Sequence, residues 1–147
     1  MGKSTFDNFN HVGVVVRDME KTIASLSSLG LGPFGMGEGG PSVVEVPFQG
    51  KLRGKPAEWK VKISMFKMGE LDVELLQPSG GESALQDFID SGNEGVHHVA
   101  YLVKDVDGET AKMVEQGAKV LTTGRATKGG FAYLETGGGI IIEFRQL

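Results

Sequence analysis

Hydrophobic and polar positions divide the chain into extended segments and short amphipathic helices. After Asp18, apolar residues recur at helical spacing up to a glycine, and the same arrangement follows Asp105. An aspartate before such a stretch is typical of a helix N-cap, and a glycine after it is typical of a helix end. The segment SALQDFIDSG also places its apolar residues on one helical face. It predicts a third, connecting helix near residues 83–91.

Three extended segments follow each of the two longer helices. They read PSVVEVPF, EWKVKISMFKM and LDVELLQP in the first half, and AKVLTT, GGFAYLETG and GIIIEFRQL in the second. Strand alternation places Glu74 on one face of its segment with Asp72 and Leu76. It likewise groups Glu143 with Ile141 and Arg145. Each half therefore carries one glutamate inside its last apolar strand.

An internal repeat underlies this pattern. The stretches NHVGVVVRDME (10–20) and HHVAYLVKDVD (97–107) align without a gap and match His11 with His98. Asn10 takes the place of His97, and alternation predicts that His97 points away from His98 in a structural role. Two such units cannot each bury a sheet face alone, so we expect them to pair around a shared centre. The repeat leaves open whether they pair within one chain or across a dimer.

The predicted fold is a single α+β domain over residues 1–147. It consists of two tandem βαβββ modules, 8–79 and 95–147, joined by the helix near 83–91, and it forms a curved mixed sheet around the centre. The first half is longer than the second, and we place the excess in a hairpin near 49–58. The stretch 51–67 holds six lysines and arginines against Glu58 alone. We interpret it as a solvated hairpin, with a contact for a phosphorylated substrate as the alternative.

The repeat predicts a metal site with two histidine and two glutamate ligands. A lone buried carboxylate is costly by several kcal/mol, so it is usually paired or metal-bound. One histidine at the start and one glutamate in the last strand of each half give the set His11, Glu74, His98 and Glu143. Imidazole and carboxylate accept cobalt, nickel, zinc or manganese, and an octahedral ion with four protein ligands keeps two positions for a chelating substrate.

Composition narrows the function classes. The 147 residues include no cysteine, which excludes disulfides and thiolate metal sites and fits a cytoplasmic protein. The chain has no run of about 18 apolar residues, so we expect no membrane contact. Its net charge of −4 argues against nucleic acid as a partner.

The residues resemble the vicinal oxygen chelate superfamily, which has the glyoxalase fold. Within it, GVHHVAYLVKDVD, EQGAKVL, GGGIIIEFRQL and VELLQP resemble segments of the methylmalonyl-CoA epimerase family. Carried over residue by residue, the ligands of this family fall on the same four residues. Its second active-site glutamate falls on Glu45 in SVVEVPF. The resemblance therefore implies a catalytic pair, Glu45 and Glu143, on opposite sides of the substrate carbon.

We therefore expect a metal-dependent isomerase, an epimerase that removes the α-proton of an acyl thioester through a metal-stabilised enolate. One alternative is a lyase similar to bacterial glyoxalase I acting on a hemithioacetal, with Glu74 and Glu143 sharing the proton transfer. The other is a non-catalytic binding module for small molecules. We expect a small-molecule thioester substrate and a homodimer.

Overall fold

A computed structural model describes residues 4–126 and 129–147, where eight strands and three helices follow the predicted order. The elements are β1 (Phe9–Val15), α1 (Met19–Ser28), β2 (Val44–Leu52), β3 (Lys55–Met68), β4 (Leu71–Gly81), α2 (Ala84–Asp90), β5 (Gly95–Val103), α3 (Val106–Glu115), β6 (Lys119–Ala126), β7 (Gly129–Glu135) and β8 (Ile141–Gln146).

The helix starts are those that the sequence indicates. The Asp18 carboxylate accepts the backbone N–H of Lys21 at 3.1 Å, and Asp105 accepts that of Gly108 at 3.0 Å. Ser83 caps α2 in the same way through its hydroxyl. Each cap satisfies a backbone donor that the helix itself cannot pair, which is worth about 1 kcal/mol.

The strands form one closed barrel in the order β1-β4-β3-β2-β6-β7-β8-β5. Antiparallel pairing of β1 with β5 and of β2 with β6 joins the two halves, so they pair within one chain. Each half has a parallel pair beside the β1–β5 junction, β4 on β1 and β8 on β5. The excess of the first half was expected in a hairpin near 49–58, and that is only partly right. Most of it lies between α1 and β2, where residues 29–43 correspond to only 116–118 between α3 and β6, and the longer β2–β3 hairpin supplies the rest. The exact module bounds remain a prediction.

Apolar side chains fill the barrel and cover two outer faces of its wall. The interior cluster includes Val61, Phe131 and Tyr133, and α2 adds Leu85 to it. Helix α1 packs on the outside of β3 and β4, and α3 on the outside of β7 and β8. Each strand therefore has one face toward the barrel interior and one toward the outside. A residue on the interior face points toward the barrel axis. None of the described helices is long and apolar enough to cross a membrane.

Candidate metal centre

Four side chains from four strands converge inside the barrel. His11 lies on β1, Glu74 on β4, His98 on β5 and Glu143 on β8. One ligand atom from each lies within 4.8 Å of the others. All four residues are at most 5% exposed. The structure thus brings together the four residues that the repeat singled out.

Small residues at matching places in the two halves make room for the cluster. Gly13 pairs with Glu74 on β4 and with His98 on β5, while Ala100 pairs with Glu143 on β8 and with His11 on β1. Each small residue follows its own histidine by two positions. Each half therefore leaves space opposite the histidine of the other half, which lets both imidazoles turn into the centre.

The facing atoms in the centre lack hydrogen-bond partners. Nε2 of His11 lies 3.4 Å from Oε1 of both Glu74 and Glu143, and Nε2 of His98 lies 3.2 Å from the same Glu143 oxygen. His11 Nε2, His98 Nε2 and Glu143 Oε1 are buried and complete no hydrogen bond among the described residues. Buried polar atoms are rarely left so, because each costs about 1–3 kcal/mol. Their convergence fits a divalent cation, which two imidazoles and two carboxylates suit.

Without a metal, the charges in the cluster favour a positively charged His11 beside a negatively charged Glu143. Burial opposes protonation of His11, but the facing carboxylates of Glu143 and Glu74 outweigh it and raise its pKa from 6.5 to about 9. Burial opposes ionisation of Glu143, yet the facing His11 and His98, together with Arg145, lower its pKa from 4.5 to about 2. The cluster therefore holds a proton that a metal would have to displace on binding, since metal ligands bind deprotonated.

His97 does not point away from His98, so the prediction from alternation was wrong. Nδ1 of His97 lies 2.9 Å from Nδ1 of His98. The register explains this: Gly13 pairs with His98 but Val14 pairs with Val96, so His97 is an extra residue at a β-bulge. A bulge breaks the two-residue alternation and re-aims a side chain. Burial and the nearby charge of His98 lower the pKa of His97 to about 3.

Two further residues line the centre, and the sequence reasoning gave neither a role. The Arg145 guanidinium lies 3.8 Å from Oε2 of both Glu74 and Glu143, and its side chain is 34% exposed. The Tyr133 ring lies 4.7 Å from that of His98. Burial, with Glu143 and Glu74 nearby, raises the pKa of Tyr133 well above 10, so the phenol keeps its proton. Alternation had already placed Arg145 on the Glu143 face, which was the available signal.

Glu45 is not brought to the centre. It lies on β2 opposite Lys62 of β3, and its side chain is exposed. Its neighbours Val44 and Val46 pack into the interior cluster, so Glu45 is on the outer face of the barrel wall. This geometry does not support a Glu45–Glu143 pair across one substrate carbon, and the catalytic role of Glu45 stays a prediction.

The basic stretch forms the β2–β3 hairpin and part of the β3 wall. Arg53 forms an exposed ion pair with Asp87 at 2.9 Å, and Lys67 forms one with Asp72 at 3.0 Å. These pairs fit the interpretation of a solvated surface.

Comparisons with known proteins agree with this architecture. A family model described as Glyoxalase/Bleomycin resistance protein/Dioxygenase superfamily matches residues 10–133. An ethylmalonyl-CoA/methylmalonyl-CoA epimerase of Cereibacter sphaeroides is 26% identical over 145 residues, covering 94% of this chain and 96% of the relative.

Two solved structures show the same fold. A hypothetical protein of Bacillus halodurans superimposes with a TM-score of 0.64 at 25% identity, covering 95% of this chain and 93% of that one. A variant of Streptomyces coelicolor methylmalonyl-CoA epimerase in complex with 2-nitronate-propionyl-CoA also gives 0.64, at 22% identity and with 97% and 98% coverage.

Proposed function

The chain belongs to the Glyoxalase/Bleomycin resistance protein/Dioxygenase superfamily, and we propose that it is a metal-dependent epimerase of acyl thioesters such as methylmalonyl-CoA. The observation that carries the proposal is the buried cluster His11, Glu74, His98 and Glu143, whose unpartnered atoms face one another. The Cereibacter sphaeroides relative, an epimerase by name, supports the substrate class.

The four cluster residues would hold a divalent ion, with cobalt, nickel, zinc and manganese all compatible with the donor set. When bound, such an ion supplies Lewis acidity that polarises a substrate carbonyl and so acidifies the neighbouring C–H bond. The remaining chemistry is proton transfer, which the protein's own residues must carry out.

Glu74 and Glu143 are the proposed proton carriers. They are the only carboxylates that are buried among the described residues, and each keeps its Oε2 on the side of Arg145. An epimerase takes a proton from one face of a carbon and returns it to the other. Glu74 on β4 and Glu143 on β8 reach the centre from opposite sides of the β1–β5 pair. This arrangement would let one glutamate take the proton and the other return it.

Arg145 is the proposed contact for the substrate anion. Its guanidinium is the most exposed charged group at the centre, and at 3.8 Å from both glutamates it forms no hydrogen bond to either. A guanidinium pairs well with a carboxylate, as in a malonyl-type acyl group. Its position would place such an acyl group beside the two proton carriers.

A glyoxalase I-like lyase is the second candidate, and the placement of Glu45 favours it over an epimerase that uses the Glu45–Glu143 pair. That reaction needs only two carboxylates beside a metal, and Glu74 and Glu143 converge in the buried cluster while Glu45 lies on the outer face. The two candidates share the same proton chemistry and differ in substrate. The homodimer remains part of the proposal.

Solvent exchange separates these candidates. Metal-free protein is reloaded with cobalt, nickel, zinc or manganese and incubated in deuterated water with methylmalonyl-CoA or with the hemithioacetal of methylglyoxal and glutathione. Deuterium at the α-carbon of the thioester supports the epimerase, and turnover of the hemithioacetal supports the lyase. Glu143→Gln is the control and should abolish either. The absence of exchange, turnover and bound metal would leave the non-catalytic binding module.

A further inference from the structure

We propose that Asn10 and His97 are positioning residues of the metal centre, each fixing the ring of the histidine that follows it. This inference rests on the proposed metal site but not on any substrate. The two residues occupy the same place in the repeat, directly before His11 and His98.

Both contacts are short and involve the same ring atom. Oδ1 of Asn10 lies 2.7 Å from Nδ1 of His11, and Nδ1 of His97 lies 2.9 Å from Nδ1 of His98. The other ring nitrogen, Nε2, faces the centre in both histidines. Each ligand histidine is thus held from behind by its own predecessor.

A β-bulge at each position makes these contacts possible. Phe9 pairs with Tyr101 and His11 with Ala100, so Asn10 is the extra residue on β1. His97 is the extra residue on β5, where the register shifts between Gly13 and Val14. In regular strands, consecutive side chains point to opposite faces and do not meet. The bulges bring each pair onto one side, at the same step in both halves.

The pairing determines which ring nitrogen carries the proton. A histidine that binds metal through Nε2 must carry its proton on Nδ1, and Oδ1 of Asn10 can only accept that proton. For His98 the same requirement makes His97 Nδ1 an acceptor, with the His97 proton on Nε2. The opposite arrangement would put a proton on His98 Nε2, toward Glu143, and block the metal. Partners of this kind fix the tautomer and ring orientation of metal-binding histidines.

The His97 ring is itself held in place. It packs edge-on against Phe88 of α2 at 5.0 Å and against Tyr133 at 5.7 Å, and it is 5% exposed. These contacts also give His97 a packing role, so a test must separate packing from positioning.

The first half of the chain supplies the variant that separates them. His97→Asn copies the residue that precedes His11, keeping a hydrogen-bond acceptor but losing the aromatic ring. His97→Phe keeps a ring against Phe88 but has no acceptor. A packing role alone predicts that Phe is the better replacement, whereas a positioning role predicts that Asn is.

The readout is the affinity of the metal-free protein for Co²⁺, titrated through its visible absorption, with no substrate present. We expect His97→Phe and Asn10→Ala to weaken binding about 10–100-fold, the usual effect of losing such a partner. His97→Asn should stay within about threefold of wild type because it keeps an acceptor. Asn8→Ala removes an exposed amide just before the same strand and serves as the matched control, with unchanged affinity.

Histidine ring NMR of the zinc-loaded protein gives a second readout. We expect Nδ1 protonation at His11 and His98 and Nε2 protonation at His97. Wild-type affinity in His97→Phe, or a proton on His97 Nδ1, would overturn the inference while leaving the epimerase proposal intact. Failure of the wild-type protein to bind any divalent ion would overturn both. If His97→Asn does not fold, Asn10→Ala and the NMR measurement still decide.

Discussion

Replacing Gly13 by alanine should disable the metal centre through one added methyl group. Gly13 is buried in β1 between Glu74 and His98. A Cβ built on it would lie within 2.6 Å of three atoms of the His98 ring, Cε1, Nε2 and Nδ1. Carbon–carbon contacts are optimal at about 3.5–4.0 Å, so the ring must retreat by about 1.4 Å or more.

The surroundings of His98 make that retreat costly. Its Nδ1 is held by His97 at 2.9 Å, and its ring packs on Tyr133 at 4.7 Å. Adding a methyl group to a packed interior costs about 1–3 kcal/mol. The reduced flexibility of the unfolded chain returns about 0.4–1 kcal/mol. The net loss of stability is therefore small, about 1–2 kcal/mol, and the protein should still fold.

The effect on function is expected to be larger than the effect on stability. A misplacement of about 1 Å costs about 100-fold in activity. Co²⁺ titration of the metal-free Gly13→Ala protein should therefore show weaker binding and solvent exchange should fall, while urea denaturation shows a modest change.

Two variants serve as controls. Gly80→Ala adds a methyl group in β4 whose nearest neighbours are Lys60 side-chain carbons at 3.9 and 4.0 Å, so metal affinity should not change. Ala100→Gly enlarges the matching position of the other half, costing about 0.5–1 kcal/mol of stability but creating no clash. Wild-type Co²⁺ affinity in a folded Gly13→Ala protein would refute the placement of the His98 ring.

Three further predictions follow from the site. Arg145→Gln should raise the KM for methylmalonyl-CoA about 10–100-fold, the worth of a charged hydrogen bond, without weakening Co²⁺ binding; an unchanged KM would remove Arg145 from substrate recognition. In the metal-free protein, the raised pKa of His11 stabilises the fold below pH 6.5, and this contribution is lost as the pH rises toward 9. The lowered pKa of Glu143 stabilises it above pH 4.5, and this is lost as the pH falls toward 2. The lowered pKa of His97, about 3, adds stability that grows as the pH rises from 3 to 6.5. Urea unfolding across pH 3–9 should therefore show highest stability near pH 6.5, and a rise from 6.5 to 9 would contradict the His11–glutamate pairing. Glu45→Gln should leave deuterium exchange unchanged because Glu45 is on the outer face, whereas lost exchange with retained metal would restore it as the second base.

The elements and the cluster could be predicted because both depend on local patterns that occur twice. Helix caps such as Asp18 and Asp105 act within one turn, and alternation decides the face of each strand residue over a few positions. The repeat then supplies the long-range information, since pairing two equivalent units around one axis must bring equivalent residues together.

The position of Glu45 shows a limit of assigning a role by sequence resemblance. In SVVEVPF, Val44, Val46 and Phe48 alternate with Glu45, and all three pack against the interior cluster. Alternation alone therefore assigns Glu45 to the other face. The resemblance placed it at the centre because it matched sequence position and not strand face.

The orientation of His97 could not be predicted from alternation, because a bulge inserts one residue and reverses the faces beyond it. No local pattern in HHVA reveals the insertion, since the residues on both sides are apolar and fit a regular strand. The repeat nevertheless contained a usable signal at the position where Asn10 aligns with His97. Asn10 and His97 differ in identity, yet each has a side-chain atom that can accept a hydrogen bond, one position before a predicted ligand. Metal-binding histidines need such an acceptor for their second nitrogen. Comparing the two halves by hydrogen-bonding capacity, and not by residue identity, would therefore have indicated that both side chains turn toward the histidines they precede.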